Sequence, residues 1–434
     1  MKENIEQKPS KRRTTFYKEL CKQKNLLIAW NHVYANIQKS DYKNIREAGK
    51  KYKQQELNKI NHIIKLLKKP PFKFRARAVP LEKKNKAMRP VASIEFDGRI
   101  VQRCILDILQ NHTGIKKYYE ITTSFGGIKR KGIYDAVKTI CKTFKDNNYT
   151  YYITTDIKSF FTKIKKDEVI SKIRTFCKDE QFIQVLDNSI NLEIENREKI
   201  EKEYPELLEK YRYDIEGVPQ GSCLSPLFGN IYLYDLDVYM NEDSRVAFFR
   251  YIDDVIIIGK TAKVVKQAFE KKLLPMLKQL GLDAYTFEEQ ETKAQRGYIK
   301  DGFDFLGLRI SDKVVRPSND AVNKIKAEII NLLNDALNFK AKGEKTLSET
   351  LDDITKKIKG WGNHYWFCNG DREINNLDIN LDCEIKNFIK EYFLKLEKLS
   401  PCKIRDKIGI TRALICAKHK SKTTIMAELK KEKD

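Results

Sequence analysis

Apolar residues recur at helical spacing through the first stretch of the chain: Leu27, Trp30, Val33 and Ile37, then Leu57, Ile60, Ile64 and Leu67. Steps of three and four put each set on one helix face, so Phe16 to Leu67 is predicted helical. Pro70-Pro71 ends that region, because proline donates no amide and clashes with a preceding turn. The period then switches to two. Phe72 to Leu81 alternates as a strand, Glu82 to Met88 makes a charged turn, and Arg89-Pro90-Val91-Ala92-Ser93-Ile94 continues as a strand. A helix is expected from Arg99 to about Gln110, with Ile100, Cys104, Ile105 and Ile108 on one side.

Two later runs are rich in β-branched and aromatic residues and carry carboxylates where the pattern breaks. In Phe249-Arg250-Tyr251-Ile252-Asp253-Asp254-Val255-Ile256-Ile257-Ile258-Gly259 the predicted form is two buried strands joined by a tight turn, with both aspartates at its tip. Tyr151 to Phe161 is a second such run, with Asp156 where the strand gives way to a turn. Adjacent ionised carboxylates repel, so they rest in solvent or on a cation. A solvated hairpin tip is the plain reading of Asp253-Asp254, and a site for a hard, oxygen-seeking ion is the functional one. Asp156 and Asp253 stand 97 residues apart (253 − 156), so a long excursion must separate neighbouring strands.

Between them, residues 165–216 read as a highly charged helical excursion with a solvated face. The turn-dense Gly217-Val218-Pro219-Gln220-Gly221-Ser222-Cys223-Leu224-Ser225-Pro226 opens an apolar helix, Leu227 to Met240. Farther on, Phe303 to Ile310 is expected as one short aromatic strand. Helices follow over 321–340 and from about Thr346 into Gly360-Trp361-Gly362-Asn363-His364-Tyr365-Trp366, whose tryptophans are expected in the core rather than as base-stacking platforms.

Charge changes the picture. Lys and Arg exceed Asp and Glu by 84 − 60 = +24, and the pI is near 9.4. A lysine-rich surface alone would account for this, but the magnitude favours a polyanion partner, because basic grooves gain affinity by releasing counterions. Ser124-Phe125-Gly126-Gly127-Ile128-Lys129-Arg130-Lys131-Gly132 joins glycines to cations and could cradle phosphate, although it lacks the ending of a nucleotide P-loop. Nine scattered cysteines show no zinc spacing and point to a reducing cytoplasmic setting. No apolar run approaches a membrane span, and the charged N-terminus does not read as a secretory signal.

The order of these segments closely resembles the reverse transcriptases. Motif A falls at Asp156, motif B at Pro219-Gln220-Gly221, the Tyr-x-Asp-Asp box at Tyr251 to Asp254, and the Phe-Leu-Gly primer-grip strand at Phe305 to Gly307. The resemblance implies an α+β right-hand polymerase with fingers, a palm built on an antiparallel sheet, and a helical thumb. Its expected boundaries are a basic helical N-terminal extension at 1–70, fingers at 71–155, palm at 156–315, and thumb with a basic tail at 316–434. It also implies an RNA-directed DNA polymerase that extends a 3′-hydroxyl with dNTPs, using two Mg²⁺ ions with Mn²⁺ as the alternative, on a structured RNA template to give cDNA. Asp156, Asp253 and Asp254 would be catalytic and would hold metal, with the backbone carbonyl of Ile157 as a further ligand. Lys293 would protonate departing pyrophosphate. Lys83, Arg89, Phe161, Gln220, Gly221 and Tyr251 would bind the nucleotide, Phe161 excluding a 2′-hydroxyl, although a core phenylalanine is its plain alternative. Lys129, Arg130 and Lys131 would meet the template.

Asp97-Gly98-Arg99-Ile100-Val101-Gln102 and the Gly-Trp-x-Asn-x-Tyr element at 360–365 are similar to group II intron enzymes. Only 34 residues follow Ser400, too few for a ribonuclease H domain, and no zinc-type endonuclease pattern is expected. That combination resembles the stand-alone defence-associated reverse transcriptases, which copy a cognate non-coding RNA. An endonuclease-less intron maturase is the alternative.

Overall fold

The computed structural model describes residues 15–40, 42–69, 71–82, 88–213, 215–289, 293–339 and 345–409. The chain divides into two compact units between Tyr298 and Ile299.

In the first unit the strands of the described residues are β1 (Arg75–Glu82), β2 (Met88–Ile94), β3 (Ser124–Phe125), β4 (Tyr151–Asp156), β5 (Glu193–Ile194), β6 (Val246–Tyr251), β7 (Asp254–Gly259) and β8 (Gln295–Tyr298). A three-stranded sheet has the order β2-β1-β5, and a five-stranded sheet the order β3-β6-β7-β4-β8. Strands β6, β7, β4 and β8 pair antiparallel, while the two-residue edge β3 runs parallel to β6. β7 is buried along its length from Val255 to Gly259 because helices cover the sheet, so its sequence is continuously apolar rather than alternating.

The strand order cuts across the boundaries drawn from sequence. β3 and most of β4, inside 71–155, belong to the five-stranded sheet, whereas β5, inside 165–216, adds a parallel strand to β1. The excursion is therefore not wholly helical, nor only a solvated face. Phe182, Leu186, Ile190 and Leu192 are buried, because its apolar positions face the core while its Glu and Lys face water.

The N-terminal helices, Phe16–Leu20, Gln23–Gln38, Lys43–Gln54 and Glu56–Leu67, share one hydrophobic core with both sheets. Trp30 donates to Glu56 at 3.0 Å, and the Tyr52 hydroxyl donates to Asp97 on the helix Phe96–Gln110 at 2.6 Å. The buried stripe of the last of these helices is Ile60, Ile63 and Leu67. Leu57, expected on that stripe, is 54% exposed.

The second unit begins with β9 (Phe303–Phe305), β10 (Leu308–Ile310) and β11 (Val315–Pro317), in the order β11-β10-β9. The single strand expected over 303–310 is thus a hairpin. Leu306 and Gly307 take positive φ angles of 54° and 77° and turn the chain between β9 and β10. Helices Asn319–Leu337, Leu347–His364 and Asp371–Leu396 then pack around Ile325, Ile329, Ile354, Leu377 and Phe388. Of the two tryptophans expected in the core, Trp361 is half-buried and Trp366 is 67% exposed. Trp366 lies just past the end of the Leu347–His364 helix, beyond its packed face. No helix among the described residues is long and apolar enough to cross a membrane.

Candidate active site

Three carboxylates meet at one edge of the five-stranded sheet because the register of β4, β6 and β7 puts them there. Asp254, the first residue of β7, lies opposite both Asp156 at the end of β4 and Tyr251 at the end of β6. Asp253 occupies the turn with Ile252, whose φ is 58°. The main-chain carbonyl of Asp253 accepts a 3.0 Å bond from the amide of Ile157, so the turn is docked on the residue following Asp156. From the other side, the amide of Tyr285 donates to the carbonyl of Asp156 at 3.2 Å. The main chain at Asp253 and at Asp156 is therefore held by backbone bonds, which replacing the aspartate side chains leaves in place.

The electrostatics are those of concentrated negative charge with little water. Burial, then the charge of Asp156, pushes the Asp253 carboxyl up to about 6. Burial, then Asp253 and Asp156, pushes Asp254 up to about 7. Lys293 reaches in to form an ion pair with Asp156. Partial burial pulls its ammonium down, but the hydrogen bond and charge of Asp156 prevail and its pKa is raised. Buried, perturbed acids clustered beside a cation make this the candidate functional site.

A pre-assembled metal cage, however, is not what the side chains form. Among the described residues no group of three or more His, Cys, Asp or Glu is arranged to hold a metal ion. Asp156 is taken by the Lys293 ammonium instead. The donor set still suits a hard divalent cation: it is all oxygen, and its mutual repulsion is what a cation would relieve. The Ile157 side chain is buried and its amide is bonded to Asp253, which orients its main chain at the site.

The other residues singled out from sequence fall into distinct settings. Arg89 on β2 is exposed, and its charge acts on Asp253. Lys83 lies outside the described residues. Of the pair after motif A, Phe160 is buried and Phe161 is half-buried, their rings 5.3 Å apart. Phe161 is therefore the one with a face left for a ligand. Tyr251 is half-buried, and burial with the charge of Asp254 raises its phenol. Lys129 and Arg130 are exposed, whereas the Lys131 ammonium donates to the carbonyls of Tyr119 and Ile121, both at 2.6 Å. Lys131 thus staples its own loop, a role that its position in a basic run did not reveal.

Gln220 and Gly221 show a contact unforeseen from sequence. Gln220 bridges to Val91, and its carbonyl accepts from the Ala92 amide at 2.8 Å, so motif B is stitched to β2. Gly221 has φ +114°, and a Cβ there would sit 2.6 Å from the carbonyl oxygen of Ala92. The close approach that the glycine permits is to the chain's own strand. Gly221→Ala combines disallowed backbone geometry with a backbone clash, and it is expected to cost about 2–4 kcal/mol of stability. Thermal denaturation checks this, and a melting temperature equal to that of the parent would contradict the close contact.

Sequence reasoning also passed over Arg250, to which it assigned no role. Its side chain is fully buried and ion-paired with Asp237 at 2.6 Å. The signal was present, since an arginine amid Phe248, Phe249, Ile256 and Ile257 has to find partners inside the fold.

Comparison with known proteins supplies the family. Residues 81–310 match the family model described as reverse transcriptase (RNA-dependent DNA polymerase), which is 230 of 434 residues (310 − 81 + 1). A protein of Schizosaccharomyces pombe described as an uncharacterized 91 kDa protein in a cob intron is 31% identical over 184 residues, covering 42% of this chain and 21% of its own. Protein YkfC of Escherichia coli is 25% identical over 273 residues, covering 55% of this chain and 67% of its own. The group II intron-encoded protein LtrA of Lactococcus lactis is 25% identical over 229 residues, covering 52% and 35%. The chain thus spans about a fifth of the fission-yeast protein and about a third of LtrA. Among solved structures, apo telomerase from Candida tropicalis aligns at 12% identity with a TM-score of 0.44, covering 75% of this chain and 63% of that one. With a family match over more than half its length, including all three aspartates, the chain belongs to the reverse transcriptases and carries their right-hand polymerase fold.

Proposed function

We propose that this chain extends a 3′-hydroxyl with dNTPs on an RNA template, with Asp156, Asp253 and Asp254 holding divalent metal, Mg²⁺ in the cell. The observation that carries the reading is the register that sets Asp254 opposite Asp156, with Asp253 in the adjoining turn and Lys293 paired to Asp156. Bound divalent ions supply charge neutralisation at the attacking and leaving oxygens of an in-line displacement. The protein's own residues supply the rest. With Asp156 committed to metal, the Lys293 ammonium now paired to it would be free to give a proton to departing pyrophosphate. Arg89 clamps triphosphate oxygens with its planar fork. Lys129 and Arg130 neutralise template phosphates. Phe161 packs beneath the sugar and collides with a 2′-hydroxyl.

For the sugar gate, Phe161→Ala is expected to raise the ratio of ribonucleotide to deoxynucleotide incorporation about 10–100-fold. Single-nucleotide extension with rNTP and dNTP measures it, and an unchanged ratio removes Phe161 from the gate.

In the cell the template is a structured RNA. We favour a cognate non-coding RNA copied in anti-phage defence, the setting that the stand-alone polymerase pattern resembles. That the fission-yeast relative lies in a cob intron and the lactococcal one is group II intron-encoded favours a second reading, in which the RNA is an intron and binding it is the main task. Primer extension on an RNA template tests polymerisation directly, and absence of templated cDNA would refute it. Sequencing the co-purifying RNA and its cDNA separates the two settings: a short structured RNA supports defence, and intron sequence supports the maturase.

A further inference from the structure

Arg250 sits on β6, two residues before Ile252, and is 1% exposed. A guanidinium carries five N–H donors and stays charged, so burying one requires an acceptor for each. Here all five are met. Nε and Nη2 grip the two carboxylate oxygens of Asp237 at 2.7 and 2.6 Å. Nη2 also donates to Ser124 Oγ at 2.6 Å. Nη1 donates to Asn230 Oδ1 at 3.1 Å and to the main-chain carbonyl of Ile252 at 2.8 Å. These acceptors lie on four separate segments: the helices Tyr234–Asn241 and Ser225–Tyr232, strand β3, and the turn itself.

The last of these bonds is the informative one. A β-branched residue with φ of 58° is strained and persists only where its surroundings over-determine it. The Ile252 amide is held by the Phe125 carbonyl at 3.2 Å, and its own carbonyl is held by Arg250. Asn230 closes the circuit by donating to the Gly126 carbonyl at 3.0 Å. Gly126 must be glycine for this packing, since a Cβ there would lie 2.7 Å from the Ile252 side chain. A buried pair with Asp237 alone would need no contact to the turn.

We propose that Arg250 is a positioning residue for catalysis. By clamping the carbonyl of Ile252 it holds the strained turn in the one conformation that presents Asp253 and Asp254 to metal and substrate. The inference rests on the polymerase reading, and metal binding gives it a readout independent of turnover.

Arg250→Lys keeps a positive charge beside Asp237 but cannot span all five acceptors. We expect it to lower kcat about tenfold or more with little change in KM for dNTP, because misplacement of the turn acts on the reacting atoms. It should also weaken Mn²⁺ binding, measured by calorimetry in the absence of substrate. Leu186→Ala, a buried core truncation in the helix Glu180–Asn188, controls for lost stability and should keep both properties. If Arg250→Lys does not fold, the Asp237→Leu/Arg250→Met pair replaces it, since removing both charges leaves neither unpaired. Parental kcat and Mn²⁺ affinity in the folded variant would overturn the proposal, as would equal losses in Leu186→Ala. Should the parent incorporate no nucleotide, the polymerase reading falls, and Mn²⁺ affinity alone still decides the role of Arg250.

Discussion

Asp253→Asn is expected to reduce nucleotide incorporation by about 10³-fold or more, roughly 4 kcal/mol of lost transition-state stabilisation, while leaving the protein folded. The argument has two halves. Asn keeps the shape of Asp and the main-chain carbonyl that receives the Ile157 amide, so the turn stays docked. What it removes is a negative charge from a cluster that is already strained by like charge and burial. Folding stability should therefore hold or rise slightly, even as the electrostatic basis for binding a hard cation collapses. Steady-state primer extension beside a thermal melt reads both halves. Full activity in the variant would remove Asp253 from the chemistry, and a collapsed melting temperature would show the residue to be structural. Asp156→Asn should behave alike in activity but differ in one respect: it also releases Lys293 from its ion pair.

The carboxylate turn was legible in sequence for a specific physical reason. Long buried strands need continuous apolar runs, so Tyr151–Thr155 and Val255–Ile258 stand out, and a carboxylate at the end of such a run has few structural uses. The helices of the second unit were legible on the same grounds, through Ile325, Ile329 and Leu333 at helical spacing. What could not be read depends on partners distant in sequence. β3 and β5 are two residues long, and no periodicity exists over two residues, so only their neighbours β6 and β1 define them. Gly221 reads as a turn glycine until Ala92 is seen beside it. Lys131 is indistinguishable from Lys129 and Arg130 in a basic run, yet two carbonyls of its own chain have claimed it. Trp361 and Trp366 share one motif, but only the first lies within the helix and packs against Tyr365, at 4.7 Å between ring centroids.

Burial of the two carboxylates, reinforced by like-charge repulsion, predicts how stability depends on pH once divalent metal is chelated. Burial and neighbouring charge push Asp253 and Asp254 up to about 6 and about 7 in the fold, against 3.8 for an ordinary aspartate. The folded state therefore binds more protons than the unfolded chain across that interval, and by linkage stability falls as pH rises through it. Asp243, held by Arg245, and Asp353, where the Lys345 and Lys356 ammonium groups together outweigh the upward push of burial, are shifted in the opposite direction. Their contributions grow with pH but are complete below the window in which the pair ionises. From pH 5 to 8 in EDTA the first unit should thus lose about 3 kcal/mol, well under the naive sum of the two shifts because the pair titrates as one coupled system. That corresponds to a fall in melting temperature of about 6–10 °C. Saturating Mg²⁺ should flatten or reverse the slope, since the ion binds the ionised pair and competes with protons. Asp254→Asn should abolish most of the slope without metal. A melting temperature that rises steadily from pH 5 to 8 in EDTA would mean that the two carboxylates are not buried together at close range, and the metal site built on them would go with it.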